Sequence, residues 1–145
     1  MKKIVIAPDS FKGTISADRV CEIIKATVES IRGDAQAVCI PMSDGGEGMV
    51  DSYLRHIGGE RHNVAVSGPM LEPVFADFGL LPGGAAVMEM ASCAGLPLMK
   101  GRLRPLEAST FGVGELLRHI AELGCERVLM GLGGSATNDC GIGMA

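Results

Sequence analysis

The sequence is poor in aromatic and basic residues. Of its 145 residues none is Trp, one is Tyr and four are Phe, so it lacks the side chains on which nucleic-acid bases stack. Lys and Arg number 13 against 17 Asp and Glu, which gives a net charge of −4. A basic field that could hold a phosphate backbone is therefore missing. Both shortages argue against a nucleic-acid partner.

Long apolar runs and paired cysteines are also missing. No run reaches the roughly 18 apolar residues of a membrane-spanning helix, so we expect no membrane partner. The first apolar run ends before Pro8 and Asp9, which is too short for the core of a signal peptide. The five cysteines form no C-x-x-C motif, and no Cys or His pair has the spacing of zinc ligands. We expect a cytoplasmic protein with reduced thiols.

Glycine, by contrast, is abundant. The chain has 21 glycines, about twice the usual share of roughly 7%. They occur in clusters and not with a period of three, which excludes a collagen-like chain. With 47% hydrophobic residues the chain can form a core, and its length is that of a single ordinary domain.

The first 60 residues have the pattern of strands alternating with helices. We predict strands at Lys3–Ala7 and Ala37–Ile40 and a second helix at Met49–Ile57. The first helix would be capped by Ser16 and stop before Gly33, with one apolar face made of Val20, Ile23, Ile24, Thr27, Val28 and Ile31. This order predicts an α/β fold with a Rossmann-like parallel sheet and covering helices.

The pattern changes after residue 60. Three predicted strands, Asn63–Ser67, Val74–Leu80 and Ala85–Met90, are joined by short connections, which indicates an antiparallel meander. A helix at Gly112–Leu123 and a strand at Arg127–Leu132 then follow. We predict that residues 1–60 are the first part of the Rossmann-like domain and residues 61–145 the start of a second α/β domain that contains the meander.

Three polar, glycine-rich loops each follow a predicted strand. They are Asp9–Gly13, Ser43–Gly48 and Gly131–Asp139. Ligands of open α/β sheets bind beyond the carboxyl ends of the strands, so these loops are expected to meet at one cleft. For Asp9–Gly13 alone, a solvated connection with Lys12 in water is slightly favoured.

The Ser43–Gly48 loop carries three glycines and two carboxylates. Its backbone N–H groups suit a phosphate or a sugar, and Asp44 and Glu47 suit Mg²⁺ or a hydroxyl proton. The alternative is a flexible turn whose acidic residues favour the start of a helix. The residues alone do not decide between the two.

The Gly131–Asp139 loop is the strongest signal. A strand leads into small residues and then into hydrogen-bonding side chains, a composition typical of anion binding. Its start also fits G-x-G-x-x-A, the loosest dinucleotide fingerprint, so a dinucleotide-dependent oxidoreductase is an alternative. It is not a Walker A loop, because the Gly-Lys-Ser/Thr end is missing.

Single residues add weaker hypotheses. Glu89 lies within an apolar run and is either an edge residue or a site carboxylate. Arg102 and Arg104 could bind a substrate carboxylate, although solvated arginines are commoner. Thr110 is explained as the cap of the following helix.

Five segments together resemble the type I glycerate kinases, in the same order along the chain. They are IVIAPDSFKG at Ile4–Gly13, SDGGEG at Ser43–Gly48, VMEMASCAGLPL at Val87–Leu98, STFGVGEL at Ser109–Leu116 and GLGGSATND at Gly131–Asp139. The resemblance implies two α/β domains with the active site between them. It implies ATP- and Mg²⁺-dependent phosphorylation of D-glycerate, with 2-phosphoglycerate favoured over 3-phosphoglycerate as the product.

The resemblance also implies roles for individual residues. Lys12 would neutralise phosphate or the glycerate carboxylate, and Asp9 or Asp44 would orient the hydroxyl or hold magnesium. Substrate or phosphate binding is expected of Ser10, Gly45, Gly46, Glu47, Gly133, Gly134, Ser135, Thr137, Asn138 and Asp139. Members of this family are considerably longer, so we expect these residues to be an N-terminal portion, and an inactive ligand-binding fragment is a further alternative.

Overall fold

The computed structural model describes residues 2–101 and 103–145. Strands and helices alternate irregularly along the chain. They are β1 (Lys2–Ile6), α1 (Ala17–Ile31), β2 (Ala35–Cys39), α2 (Met49–Ile57), β3 (Glu60–Ser67), β4 (Pro73–Leu81), β5 (Ala85–Glu89), α3 (Ala91–Ala94), a 3-10 helix (Leu96–Met99), α4 (Phe111–Glu122) and β6 (Arg127–Gly131).

The first compact unit ends at Asp44 and consists of β1, α1 and β2. The two strands pair in parallel, from Lys2 opposite Ala35 to Ile6 opposite Cys39. Helix α1 begins as predicted, because the Ser16 hydroxyl accepts a hydrogen bond from the Arg19 N–H at 3.3 Å. A small core of Ile6, Cys21 and Ala37 joins helix and sheet.

The predicted apolar face of α1 is only partly buried. Val20 is buried, whereas the side chains of Ile23, Ile24 and Ile31 are 46%, 39% and 73% exposed. The expectation of a fully covered face is therefore wrong for the residues present. The reason is the width of the sheet, since two strands offer too little surface to cover a helix of four turns.

The second compact unit runs from Gly45 to Ala145 and is built on a four-stranded sheet. Its strand order is β3-β4-β5-β6. The first three strands are antiparallel neighbours, as the predicted meander requires, and β6 joins β5 in parallel. The chain is thus confirmed as α/β, with one parallel and one mixed sheet.

Helices cover both faces of this second sheet. On one face, Val113, Leu116 and Ile120 of α4 pack into a cluster with Phe78 and Met88. On the other face, α2 packs through residues that include Val50 against Leu81, Ala85 and Val87. Alternate residues of β5 therefore enter opposite cores, which explains why its apolar run is continuous.

The division between the compact units falls between Asp44 and Gly45, earlier than the boundary predicted near residue 60. Helix α2 belongs to the second unit because it packs on β4 and β5. The assignment of residues 1–60 and 61–145 to two domains of a longer protein stays a prediction. Within the described residues, no helix has both the length and the apolar character that crossing a bilayer requires.

Candidate functional site

Two predicted loops meet at the carboxyl ends of β1 and β2. The Ile40 N–H donates to the Ile6 carbonyl at 2.8 Å, and the Met42 N–H donates to the Pro8 carbonyl at 2.9 Å. The chain after β1 therefore continues beside the chain after β2. This places the Lys12 ammonium 3.1 Å from the Asp44 carboxylate. Two of the three predicted catalytic residues are thus in direct contact.

The Lys12–Asp44 ion pair is open to solvent. Its side chains are 66% and 51% exposed, and the hydrogen bond to Asp44 raises the pKa of Lys12, with a smaller contribution from the charge of Asp9. Asp9 also accepts a hydrogen bond from the Ser10 N–H at 2.6 Å. An exposed pair of this kind contributes little to stability. Its charged groups can therefore turn towards a ligand at small cost.

The other two glycine-rich segments pack backbone to backbone in the second unit. The Gly133 N–H donates to the Gly45 carbonyl at 2.9 Å. A Cβ on Gly133 would lie 2.7 Å from the Cα and N of Gly46, and a Cβ on Gly131 would overlap the Gly45 carbonyl oxygen. This close approach is possible only without side chains. The convergence predicted from sequence is present between the Gly45–Gly48 and Gly131–Asp139 segments.

The Gly131–Asp139 loop is held on its other side by α3 and the 3-10 helix. The Leu96 N–H donates to the Gly134 carbonyl at 2.9 Å, and the Ala136 N–H donates to the Ala94 carbonyl at 2.8 Å. The side chains of Ser135, Thr137 and Asn138 make no hydrogen bond to the described part of the chain. The loop is therefore fixed through its backbone, while its hydroxyl and amide groups remain for a ligand.

Asp139 has a different position from the one its motif suggested. One carboxylate oxygen accepts hydrogen bonds from both the Thr110 N–H and the Thr110 hydroxyl, each at 2.7 Å. The Gly141 and Gly143 N–H groups add bonds of 3.1 and 3.3 Å. Burial by itself raises the pKa of Asp139, but the hydrogen bonds from Thr110, Gly141 and Gly143 outweigh it and hold the pKa below its usual value. Asp139 thus ties its loop to the start of α4.

Thr110 accordingly does more than cap a helix. It occupies the N-cap position of α4, but its side chain makes no capping hydrogen bond, so the capping explanation is wrong. Its fully buried hydroxyl donates to Asp139 and accepts from the Met144 N–H at 3.1 Å. Sequence reasoning missed this role because the two partners lie far along the chain.

Glu89 supports the Gly45–Gly48 segment from β5. The N-cap of α2 is Gly48, which has no side chain to satisfy the first helical N–H groups. The Glu89 carboxylate accepts the Val50 N–H at 2.9 Å instead. Burial raises the pKa of Glu89, against the lowering effect of this hydrogen bond. A glycine N-cap is the sequence signal that calls for such an acceptor from another element.

Glu47 and Glu89 also line a cavity of about 330 Å³ in the second unit. Opposite them, Arg61 forms ion pairs with Asp51 and Asp77. The wall is mostly acidic, so it does not suit an anion. Within the described residues no group of three or more His, Cys, Asp or Glu could hold a metal ion. A magnesium ion would therefore be held chiefly by substrate phosphates, with few carboxylates, as is usual for this ion.

The remaining predicted residues lie elsewhere. Arg104 pairs with Glu107 at 2.8 Å and lines a separate pocket of about 300 Å³ with Lys100; Arg102 lies outside the described residues. All five cysteines are free thiols, as predicted. The helix that a dinucleotide fingerprint would open is not formed, because residues 132–145 are turns and irregular backbone.

Comparisons with known proteins agree with this geometry. A model of the Glycerate kinase family matches residues 4–145. The glycerate kinase of Halalkalibacterium halodurans is 44% identical over 147 residues, with 100% of this chain and 39% of that protein covered. The glycerate 2-kinase of Escherichia coli K12 is 42% identical over 144 residues, with 98% and 38% covered.

A solved structure shares the fold. The crystal structure of a protein assigned as a glycerate kinase 2, from Salmonella typhimurium LT2, superposes with a TM-score of 0.78 at 41% identity and covers 99% of this chain and 39% of its own. The chain thus spans about two fifths of the length of the curated relatives it matches. Given the match over residues 4–145 and the paired glycine loops, the chain belongs to the glycerate kinase family.

Proposed function

We propose that these residues form part of a kinase that transfers the γ-phosphoryl group of ATP to a hydroxyl of D-glycerate. The observation that carries the proposal is the contact between Gly133 and Gly45 at 2.9 Å, in a chain of the glycerate kinase family. It brings two glycine loops together beside the ends of parallel strands, where α/β proteins bind phosphorylated ligands.

Phosphate binding is assigned to the two loops in the second unit. Gly45, Gly46, Gly133 and Gly134 allow close approach of backbone to phosphate oxygens. Ser135, Thr137 and Asn138 supply hydroxyl and amide donors that are not used within the described chain. Asp139 is excluded from direct contact in this proposal, because its carboxylate already accepts four hydrogen bonds.

Charge handling is assigned to the first unit. Phosphoryl transfer demands positioning and neutralisation of charge more than covalent chemistry. Lys12 would neutralise the transferred group or the glycerate carboxylate. As the hydroxyl oxygen bonds to phosphorus and the bond to the bridging oxygen breaks, Asp9 or Asp44 would take the hydroxyl proton. Bound Mg²⁺ would supply neutralisation of the phosphate charge.

Finer features of the family resemblance belong to the same proposal. The favoured product is 2-phosphoglycerate, the location is cytoplasmic, and β1-α1-β2 forms part of a Rossmann-like sheet in the whole protein. Because the chain covers 39% of the Halalkalibacterium halodurans relative, we propose that these residues alone bind ligand and do not turn over.

The test uses a chimeric chain in which these residues replace the matching part of the Halalkalibacterium halodurans relative. ADP release with D-glycerate and ATP is measured, and NMR of the product identifies the phosphorylated hydroxyl. We expect Lys12→Ala and Asp44→Asn each to lower kcat/KM by about 100-fold or more, the scale of a lost catalytic group.

Matched controls come from a second exposed ion pair in the same unit. Arg32 and Asp34 lie 3.2 Å apart and are 53% and 63% exposed, so Arg32→Ala and Asp34→Asn repeat the same chemical changes away from the loops. They should leave kcat/KM unchanged. Normal turnover in the Lys12 and Asp44 variants would refute their roles, and NAD binding without ATP binding would refute the kinase.

A further inference from the structure

Strand β6 lies at an open edge of the four-stranded sheet. Within the described residues it pairs with β5, and the sheet order ends there. The backbone N–H and C=O groups on its outer side therefore lack a neighbouring strand. Open edges of this kind are potential pairing sites for another segment of polypeptide.

The two edges of this sheet differ in how they meet solvent. The opposite edge strand, β3, carries Arg61 and Asn63, which pair with Asp77 on the neighbouring strand. Strand β6 instead has the sequence RVLMG, and its Val128 and Leu129 side chains are 37% and 40% exposed. Charged edges prevent association, whereas a continuous apolar strand is typical of the interior of a parallel sheet. Strand β6 has the composition of an interior strand.

A groove runs beside this edge. It has a volume of about 590 Å³ and is lined largely by Ile57, Leu81, Ala85, Val128 and Leu129, with Arg127 at its margin. Ile57, at the end of α2, is 54% exposed. Several apolar side chains from a neighbouring strand and its helix would fit this space, and their burial would be favourable.

We propose that β6 pairs with a further β-strand from the part of a full-length glycerate kinase family chain that these residues do not match. Apolar side chains of that part would fill the groove beside Leu129. The relative that is 44% identical to this chain has more than half of its length outside the match, and that part must pack somewhere against the matched residues. The proposal is independent of the phosphoryl transfer.

Hydrogen exchange at residues 127–131 tests the proposal. Their amide exchange is measured in this chain alone, in the chimeric chain described above, and at the corresponding residues of the full-length relative. We expect the outward amides of β6 to exchange about tenfold more slowly, or slower still, in both longer chains, because a strand has paired with them. Equal exchange rates would overturn the proposal, and the relative gives this answer even if the chimera does not fold.

A pair of substitutions tests the groove. Leu129→Lys should lower the Tm of the chimera but leave the Tm of this chain alone nearly unchanged, since Leu129 is exposed there. Leu106→Lys makes the same change at a side chain that is 90% exposed and lines no groove described here, so it should lower neither Tm. An unchanged Tm for the Leu129→Lys chimera would overturn the groove assignment. Concentration-dependent protection of β6 in this chain alone would show that a second copy is the occupant and would overturn it too.

Discussion

The Gly133 N–H donates to the Gly45 carbonyl across 88 positions of the chain, at 2.9 Å. The bond joins two segments that each follow a strand and that each lack side chains where they meet. It makes the glycines at 131 and 133 a requirement of packing as well as of ligand approach. The candidate phosphate site is therefore rigid on its protein side, which is the condition for electrostatic stabilisation of a bound anion.

Gly133→Ala should destabilise this contact. The new Cβ would lie 2.7 Å from backbone atoms of Gly46, and backbone cannot move aside as a flexible side chain can. We expect the free energy of unfolding to fall by about 1–3 kcal/mol, as in other overpacked sites. Urea unfolding followed by circular dichroism measures it.

The control for that substitution is Gly33→Ala. No atom lies within 4 Å of a Cβ built at Gly33, and its φ is outside the left-handed region. Its stability should be unchanged or slightly higher, because alanine restricts the unfolded chain. Equal effects of the two substitutions would contradict the packing argument.

Asp139 should make stability depend on pH in the acid range. Its folded pKa is lower than the ordinary value of 3.8, so its contribution is present above that value and is lost as pH falls through the folded pKa. At pH 7, Asp139→Asn should cost about 1–3 kcal/mol, the range for hydrogen bonds to a charged acceptor. Urea unfolding from pH 2.5 to 7 should show a weaker acid dependence in the variant.

Thr110 provides a coupling test for the same cluster. Thr110→Val removes the hydroxyl that donates to Asp139, so its cost should be smaller in the Asp139→Asn background than in the native chain. Asp34→Asn, at a carboxylate that is 63% exposed, is the control and should change stability little. Additive costs at Thr110 and Asp139 would show that the two residues act separately.

Glu89 should give a pH dependence of the opposite sign. Burial raises its folded pKa above the ordinary 4.5, so the folded state binds this proton more tightly. Native stability should therefore fall relative to Glu89→Gln as pH rises from about 4 towards 7. Parallel denaturation series measure the difference, with Glu122→Gln, 67% exposed, as the control. A difference that grows in favour of the native chain would contradict the assignment.

The thiols should differ sharply in reactivity. Burial raises the pKa of Cys93 to about 11, and its side chain is fully buried, whereas Cys140 is exposed. Iodoacetamide at pH 8 should modify Cys140 in the folded chain and reach Cys93 only after unfolding. Peptide mass spectrometry detects both sites. Modification of Cys93 at the rate of Cys140 would mean that the α3 region opens readily.

Much of the secondary structure follows from local patterns. The periodicity of α1, its Ser16 cap and the meander of β3 to β5 are present as predicted, because each depends on residues close together in sequence. The apolar face of α1 was predicted equally clearly, but Ile23 and Ile24 are exposed. Helical periodicity shows which side chains seek cover, and only the neighbouring elements decide whether cover is present.

The candidate site shows the same division. Sequence alone determined that glycine-rich loops follow the strands and that their composition suits a phosphate. Only the tertiary structure decided that Asp139 serves Thr110 at 2.7 Å, and that Glu89 serves Val50 at 2.9 Å. The physical reason is that both carboxylates satisfy N–H groups at helix starts in distant segments. Such pairings depend on how sheet and helices pack, which no local pattern specifies.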